Sequence, residues 1–307
     1  MSNKIFDSYK LSIIKNMDFS GSKKELRNLK SIILDYNNNP DVDKRNKVDK
    51  ELLNFEKMYV SQNDKTGNYT ENCNISSGFY CYECIKGHCK VQGGLKSNNK
   101  FDKVTCYGLA NHNRLARTMT QGLVNYIVFN SLSSKEIEEQ ILEAIEKHNS
   151  YYLRFNEIGS FFSLKSFKKC DKTAKSLKDQ VISYSYTSNK RLFDKVHKNS
   201  HMTLSLSQGF ANPDEIKVQD FKQTIVIPDN YESIKPLLED DRFRFCNESC
   251  SNCCQCKDKD DKRITVFIQH GAGHKYKLKN AIGTKAFLYQ QREGMFRNMA
   301  FIGERLL

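Results

Sequence analysis

The run Cys246-Asn-Glu-Ser-Cys250-Ser-Asn-Cys253-Cys254-Gln-Cys256 holds five of the chain's eleven cysteines within eleven residues. A buried cysteine packs only as a small hydrophobe, and the residues between these are Asn, Ser, Glu and Gln, so packing does not explain the density. With Cys254 left out the spacing is C-x3-C-x2-C-x2-C. Cys246, Cys250, Cys253 and Cys256 can then converge on one inorganic centre from a compact loop. Cys246, Cys250 and Cys253 also reproduce the C-x3-C-x2-C interval that leaves one iron of a cluster open to S-adenosylmethionine, although Cys256 offers a fourth thiolate that would close the site.

A second thiol group, Cys73, Cys81, Cys84 and Cys89, is spaced C-x7-C-x2-C-x4-C around Ser-Ser-Gly and Lys-Gly-His segments that suit a loop folded about an ion. His88 either replaces one thiolate or is merely exposed, and Cys106 is either a fifth ligand or an ordinary buried thiol. His270-Gly-Ala-Gly-His274 reads as a flexible turn. Zinc ribbons use paired C-x2-C turns, whereas the late triplet spacing is closer to cluster-binding loops. An iron-sulfur centre is therefore favoured for the late group, with zinc as the alternative. The two groups form two sites or pool their ligands into one.

The elements that must position these thiols follow from periodicity. Ser22-Lys-Lys-Glu25 has the form of a capping box, followed by Leu26, Leu29, Ile32 and Ile33 at helical spacing. A second helix is predicted over Lys47 to Val60, then a polar linker over Ser61 to Thr70. Residues 108 to 148 read as helical, with a second capping box at Ser133-Ser-Lys-Glu136, and the row Glu138, Glu139, Glu143 and Glu146 reads as a solvated face. From Tyr151 short apolar runs alternate with helices: strands at 151–155, 181–186, 202–206, 221–227 and 264–268, and a helix over Leu164 to Lys178. That rhythm predicts an α/β fold, a largely parallel sheet curled as a partial (βα) barrel with N-terminal helices and a cysteine-rich metal loop. Reactive residues in such folds sit at the carboxyl ends of strands. That rim holds Asn156, Glu157, Gly159 and Ser160, then Thr187, Ser188 and Asn189, then Ser207 and Gln208. The expected division is a helical extension over 1–70, the cysteine-bearing barrel over 71–270 and a basic segment over 271–307.

Hydrophobic residues make up 38% and charged residues 28% of 307 positions, with a mean hydropathy of -0.66, which suits a polar globular protein. No apolar run approaches the roughly 18 to 20 residues of a membrane span, and no apolar h-region follows the N-terminus. A cytoplasmic setting, where thiols stay reduced, is expected. The net charge of +13 points to polyanions, nucleic acid foremost, although an AT-rich coding bias also enriches Lys and Asn. Residues 261–307 carry nine Lys or Arg against three acids, interleaved with Tyr276, Phe287, Tyr289 and Phe296. They make either a base-stacking surface or a helix, Lys285 to Arg297, docked on the sheet. No Walker loop, Ser-His-Asp arrangement or HExxH is present, which disfavours NTPases, serine hydrolases and zincins.

The ordered set Arg154-Phe-Asn-Glu-Ile-Gly-Ser160, Tyr184-Ser-Tyr-Thr187, the Leu204-Ser-Leu-Ser207 strand and the late cysteine loop leading into a strand resembles the phage gene product 88 family over roughly residues 70 to 270. Ser160 stands where that family usually carries Asp, and Lys257 replaces the aromatic that commonly follows the last cysteine. The resemblance implies a phage or mobile-element setting and a radical-SAM-like barrel. Two readings follow. In the first, a radical-SAM-like or redox enzyme acts on nucleic acid or protein, with Arg154, Asn156, Gly159 and Thr187 binding substrate or cofactor. In the second, a non-catalytic nucleic-acid-binding protein is stapled by structural zinc.

Overall fold

A computed structural model describes residues 2–63, 67–75, 81, 116–157, 159–210, 213–227, 231–246, 253 and 255–268. The helices are α1 (Ser2–Asn16), α2 (Lys23–Asn38), α3 (Ala116–Ser131), α4 (Ser134–His148), α5 (Leu164–Ser176), α6 (Lys190–Val196) and α7 (Tyr231–Leu238). The strands are β1 (Val60–Asn63), β2 (Gly67–Cys73), β3 (Tyr152–Phe155), β4 (Ile182–Thr187), β5 (Thr203–Phe210), β6 (Lys222–Ile227), β7 (Phe243–Phe245) and β8 (Ile264–Ile268). They form one sheet in the order β1-β2-β3-β4-β5-β6-β8-β7. Only the β1/β2 pair is antiparallel.

From β2 to β6 the strands stand side by side in chain order. Right-handed crossovers that always step the same way deliver every intervening helix to one face. The main core bears this out: Leu153, Phe155, Leu204 and Leu206 of the sheet pack with Leu123 and Ile127 of α3, Ile141 of α4, Phe167 and Cys170 of α5 and Phe193 of α6. A smaller cluster continues toward the far edge, where Ile225, Ile227, Phe243, Phe245, Ile264, Val266 and Ile268 meet Leu237 of α7. The last step reverses, because β8 is inserted between β6 and β7. A crossover of the same hand must then run over the opposite face, and its described residues, 246, 253 and 255–263, include Cys246, Cys253 and Cys256.

The N-terminal helices join this core through one carboxylate. Ser22 Oγ accepts the Glu25 amide at 3.2 Å, as a capping box requires. Glu25 does not complete the box but turns to the preceding loop, accepting the amides of Asp18 at 3.0 Å, Phe19 at 2.9 Å and Gly21 at 2.8 Å and the Tyr126 hydroxyl of α3 at 3.1 Å. Phe19 and Gly21 take φ of 63° and 64° to aim those amides inward. At Gly21 a Cβ would lie 2.6 Å from Asn130 Oδ1, so only glycine fits.

Two expectations are corrected. The helix over Lys47 to Val60 is absent. The chain forms 3₁₀ turns at Lys44–Asn46 and Lys50–Asn54, passes Phe55 at φ 58° and enters β1. Amide side chains of other helices take the backbone groups a helix would need. Asn37 holds the Val48 amide at 2.8 Å and its carbonyl at 3.2 Å, Gln140 holds the Met58 amide at 2.8 Å, and Asn125 holds the Tyr59 amide at 2.5 Å and its carbonyl at 2.8 Å. The polar linker over Ser61 to Thr70 is instead the β1/β2 hairpin, so the expected division at 70/71 falls inside β2. The segment 271–307, with the helix expected over Lys285 to Arg297, lies outside the described residues, as do His270 and His274. No helix among the described residues is long and apolar enough to cross a membrane.

Glu25→Ala leaves three amides and two hydroxyls, those of Ser20 and Tyr126, without their acceptor at the α1/α2/α3 junction. It is expected to lower stability by about 3 kcal/mol, read as a fall in urea midpoint at unchanged slope.

Candidate functional site

The face opposite the helices is polar although it is covered. In-register positions place Thr70 and Asn72 of β2, Tyr152 and Arg154 of β3, Tyr184 and Tyr186 of β4, Thr203, Ser205 and Ser207 of β5, Lys222 and Thr224 of β6, Thr265 of β8 and Arg244 of β7 on it. Most of these are nearly inaccessible; Lys222 and Arg244 are only 3% and 6% exposed. Such a surface can be desolvated only if something polar lies on it.

The crossover supplies part of that cover. Gln255 donates to the Arg244 carbonyl at 3.2 Å and to Thr265 Oγ1 at 3.0 Å. The Lys257 carbonyl accepts Thr203 Oγ1 at 2.9 Å, while its ammonium lies 3.3 Å from the centre of the Tyr152 ring. Farther along, Asp261 carries the cluster's charge balance: its carboxylate meets Arg244 at 3.1 Å and Arg263 at 3.0 Å, and its carbonyl accepts Lys222. Burial pushes the Asp261 carboxyl up, but the Arg263 hydrogen bonds and the charges of Lys222 and Arg244 outweigh it and hold the group below 3.8.

Cys256 sits on this polar face. Its thiol bonds the Tyr186 hydroxyl, which burial and the neighbouring sulfur push well above 10. Cys256 also lies close enough to Lys222 to oppose the desolvation that lowers that lysine. Cys246 is one step past β7 at the parity of Arg244, and its amide bonds the Val266 carbonyl at 2.9 Å. Cys253 Sγ lies 4.0 Å from Gln255 Oε1. Cys73 is placed differently. It pairs with Phe155 on the helix face, packs in the main core beside Cys170, and burial pushes its thiol up to about 12. The sheet therefore separates Cys73 from Cys256, and the two groups do not pool through that residue. Cys81 is buried. Cys84, His88, Cys89, Cys106, Cys250 and Cys254 lie outside the described residues. Among the described residues no three His, Cys, Asp or Glu side chains converge as a metal site.

The rim stands at the carboxyl ends of the strands, and its side chains mostly pin the turns. Asn156, at φ 54°, accepts the Ile75 amide at 3.1 Å. Its buried Nδ2 has no hydrogen-bond partner among the described residues. Gly159 takes φ 93°, which a β-carbon would oppose. Ser160 Oγ bonds Ser188 Oγ at 2.8 Å, and Thr187 Oγ1 accepts the Asn189 amide at 3.2 Å. Thr187 has helix-face parity, opposite Leu206, so it does not reach the polar face. Of the four expected binding residues only Arg154 projects there, its guanidinium 5.0 Å from the Tyr186 ring centre and its Nη2 donating to the Glu157 carbonyl at 3.1 Å. Tyr186, Lys222, Arg244, Lys257 and Asp261 were not anticipated as site residues. The signal that could have found them is the alternation Thr203-Leu-Ser-Leu-Ser207, apolar on one side only.

Because the Asp261 carboxyl titrates lower folded than unfolded, its stabilisation is present above about pH 4 and is lost as pH falls through the lowered value. Asp261→Asn should cost about 3 kcal/mol at pH 7 by leaving buried cations without their counter-charge. In denaturant titrations the gap to the parent protein should close as the parent's carboxylate protonates.

No family model, curated protein or solved structure matches this chain.

Proposed function

We propose that the chain is an enzyme of partial (βα)-barrel type whose reaction chamber lies between the polar sheet face and the 246–263 crossover. The observation that carries this reading is the buried polar face itself. Seven consecutive neighbours of the sheet contribute hydrogen-bonding or charged side chains to one enclosed surface, and a thiol of the cysteine loop lies against it. A sheet built only for stability would bury apolar side chains on both faces. The run of parallel strands in chain order favours curling, since every helix crowds one side.

In this reading Cys246, Cys250, Cys253 and Cys256 hold an iron-sulfur centre, with S-adenosylmethionine as a possible co-substrate. Such a centre supplies single electrons. Lys222 stands beside Cys256, Arg154 offers donors to a carboxylate or phosphate with Asn156 Nδ2 at the adjoining rim, and Tyr184 and Tyr186 offer rings to a flat group. The motif order that resembles the gene product 88 family supports the radical-SAM-like variant, acting on nucleic acid or protein in a phage or mobile element. Cys73 is left out of the ligand set.

Protein purified without oxygen should be brown and contain iron. Cys256→Ser should lose most of that iron, whereas Cys73→Ala should retain it. Incubation of the reduced protein with S-adenosylmethionine should release 5'-deoxyadenosine. A colourless protein with stoichiometric zinc would overturn the redox reading in favour of a stapled binding protein, and an intact cluster without cleavage would remove the radical chemistry.

A further inference from the structure

The helical layer carries a separation of charge that the fold does not require. Helix α5 contains five lysines and one aspartate, whereas its neighbour α4 contains five glutamates and two lysines. Lys169 is committed to the structure, donating to the Phe129 and Leu132 carbonyls at the end of α3. Asp171 is committed too, accepting the His201 amide at 2.8 Å and Ser200 Oγ at 3.0 Å. Those bonds tie the middle of α5 to the segment that follows α6. What remains is a row of exposed lysines, Lys165, Lys168, Lys172 and Lys175, at i, i+3, i+7 and i+10. Arg191, Lys195 and Lys198 stand exposed on and just after α6. None of these seven forms an ion pair among the described residues.

Like charges three and four apart destabilise a helix by a few tenths of a kcal/mol per pair, so the fold gains nothing from the row. Coding bias toward lysine does not explain it either, because the same bias leaves α4 acidic. We propose that α5 and α6 form a docking surface for the phosphate backbone of nucleic acid. The row extends for about 15 Å along α5, and a duplex presents about one charge per 1.7 Å of its axis. Lysines are point charges, suited to a repeating phosphate line rather than to the bidentate capture of an acidic peptide. Helix α4, which packs beside α5, is acidic, so a broad anionic sheet such as a membrane reaching across both helices would meet like charge there, whereas a narrow polyanion lying along α5 would not. This inference does not rest on the cysteine loop or its chemistry and stands or falls separately from both.

The test is fluorescence anisotropy of the full chain with a labelled duplex and a labelled single strand of about 20 nucleotides, from about 50 to 200 mM salt. The parent protein should bind, with affinity falling steeply as salt rises. Lys168→Gln, Lys172→Gln and Lys175→Gln combined should weaken binding at least tenfold and flatten the slope of log affinity against log salt by about 2 to 3. Lys23→Gln, Lys24→Gln and Arg27→Gln combined, which remove as many exposed cations from α2, should change affinity less than twofold, and both variants should melt with the parent protein. No binding by the parent at the lowest salt, equal loss in the two variants, or tighter α5-dependent binding to phosphatidylserine vesicles would overturn the proposal.

Discussion

A polar sheet face is buried at low cost only where its donors and acceptors meet partners, and the crossover from β7 to β8 meets part of that demand. Lys222 and Arg244 project from neighbouring parts of the sheet, and both converge on Asp261. Gln255 and Lys257 bond the same surface through side chain and backbone. Because charged groups out of water are stable only in such company, the crossover and the face are interdependent. The reversal of strand order at β8 makes the arrangement possible, since it sends this connection to the side opposite the described helices.

The opposite side obeys a different rule. Leucines, isoleucines and phenylalanines of β3, β5, β6, β7 and β8 meet the apolar stripes of the helices, and Cys73 and Cys170 belong to that packing. Two cysteines can thus have unrelated physical roles in one chain. Cys73 is a small apolar group whose deprotonation burial opposes, whereas Cys256 keeps the company of a hydroxyl and an ammonium. The face on which a residue falls decides this, and a shift of one position in a strand reverses it.

The N-terminal region is fastened by polar side chains reaching across the chain rather than by its own periodicity. Glu25 organises the turn after α1, and Asn37, Asn125 and Gln140 occupy the backbone of residues 48 to 59. Charge on the outer surface is sorted between α4 and α5 without affecting the core beneath. The α/β layer and its helical N-terminal wrapping therefore leave two charged surfaces, one enclosed and one open.

Local chemistry sufficed for the elements whose signals are local. Ser133 and Glu136 complete a capping box, β8 runs over Ile264–Ile268, and α5 begins at Leu164, because caps and apolar spacing act within a few residues. The rim of Asn156, Gly159 and Thr187 was legible for the same reason, as the ends of strands preceding helices. Residues 47 to 60 misled because amides from distant helices outbid the helical backbone bonds. Only the tertiary structure decided which cysteines share a face, since that depends on strand register. It alone brought Asp261 to Lys222 and Arg244, because the pairing arises from the order of strands in the sheet, and spacing along the chain carries no record of that order.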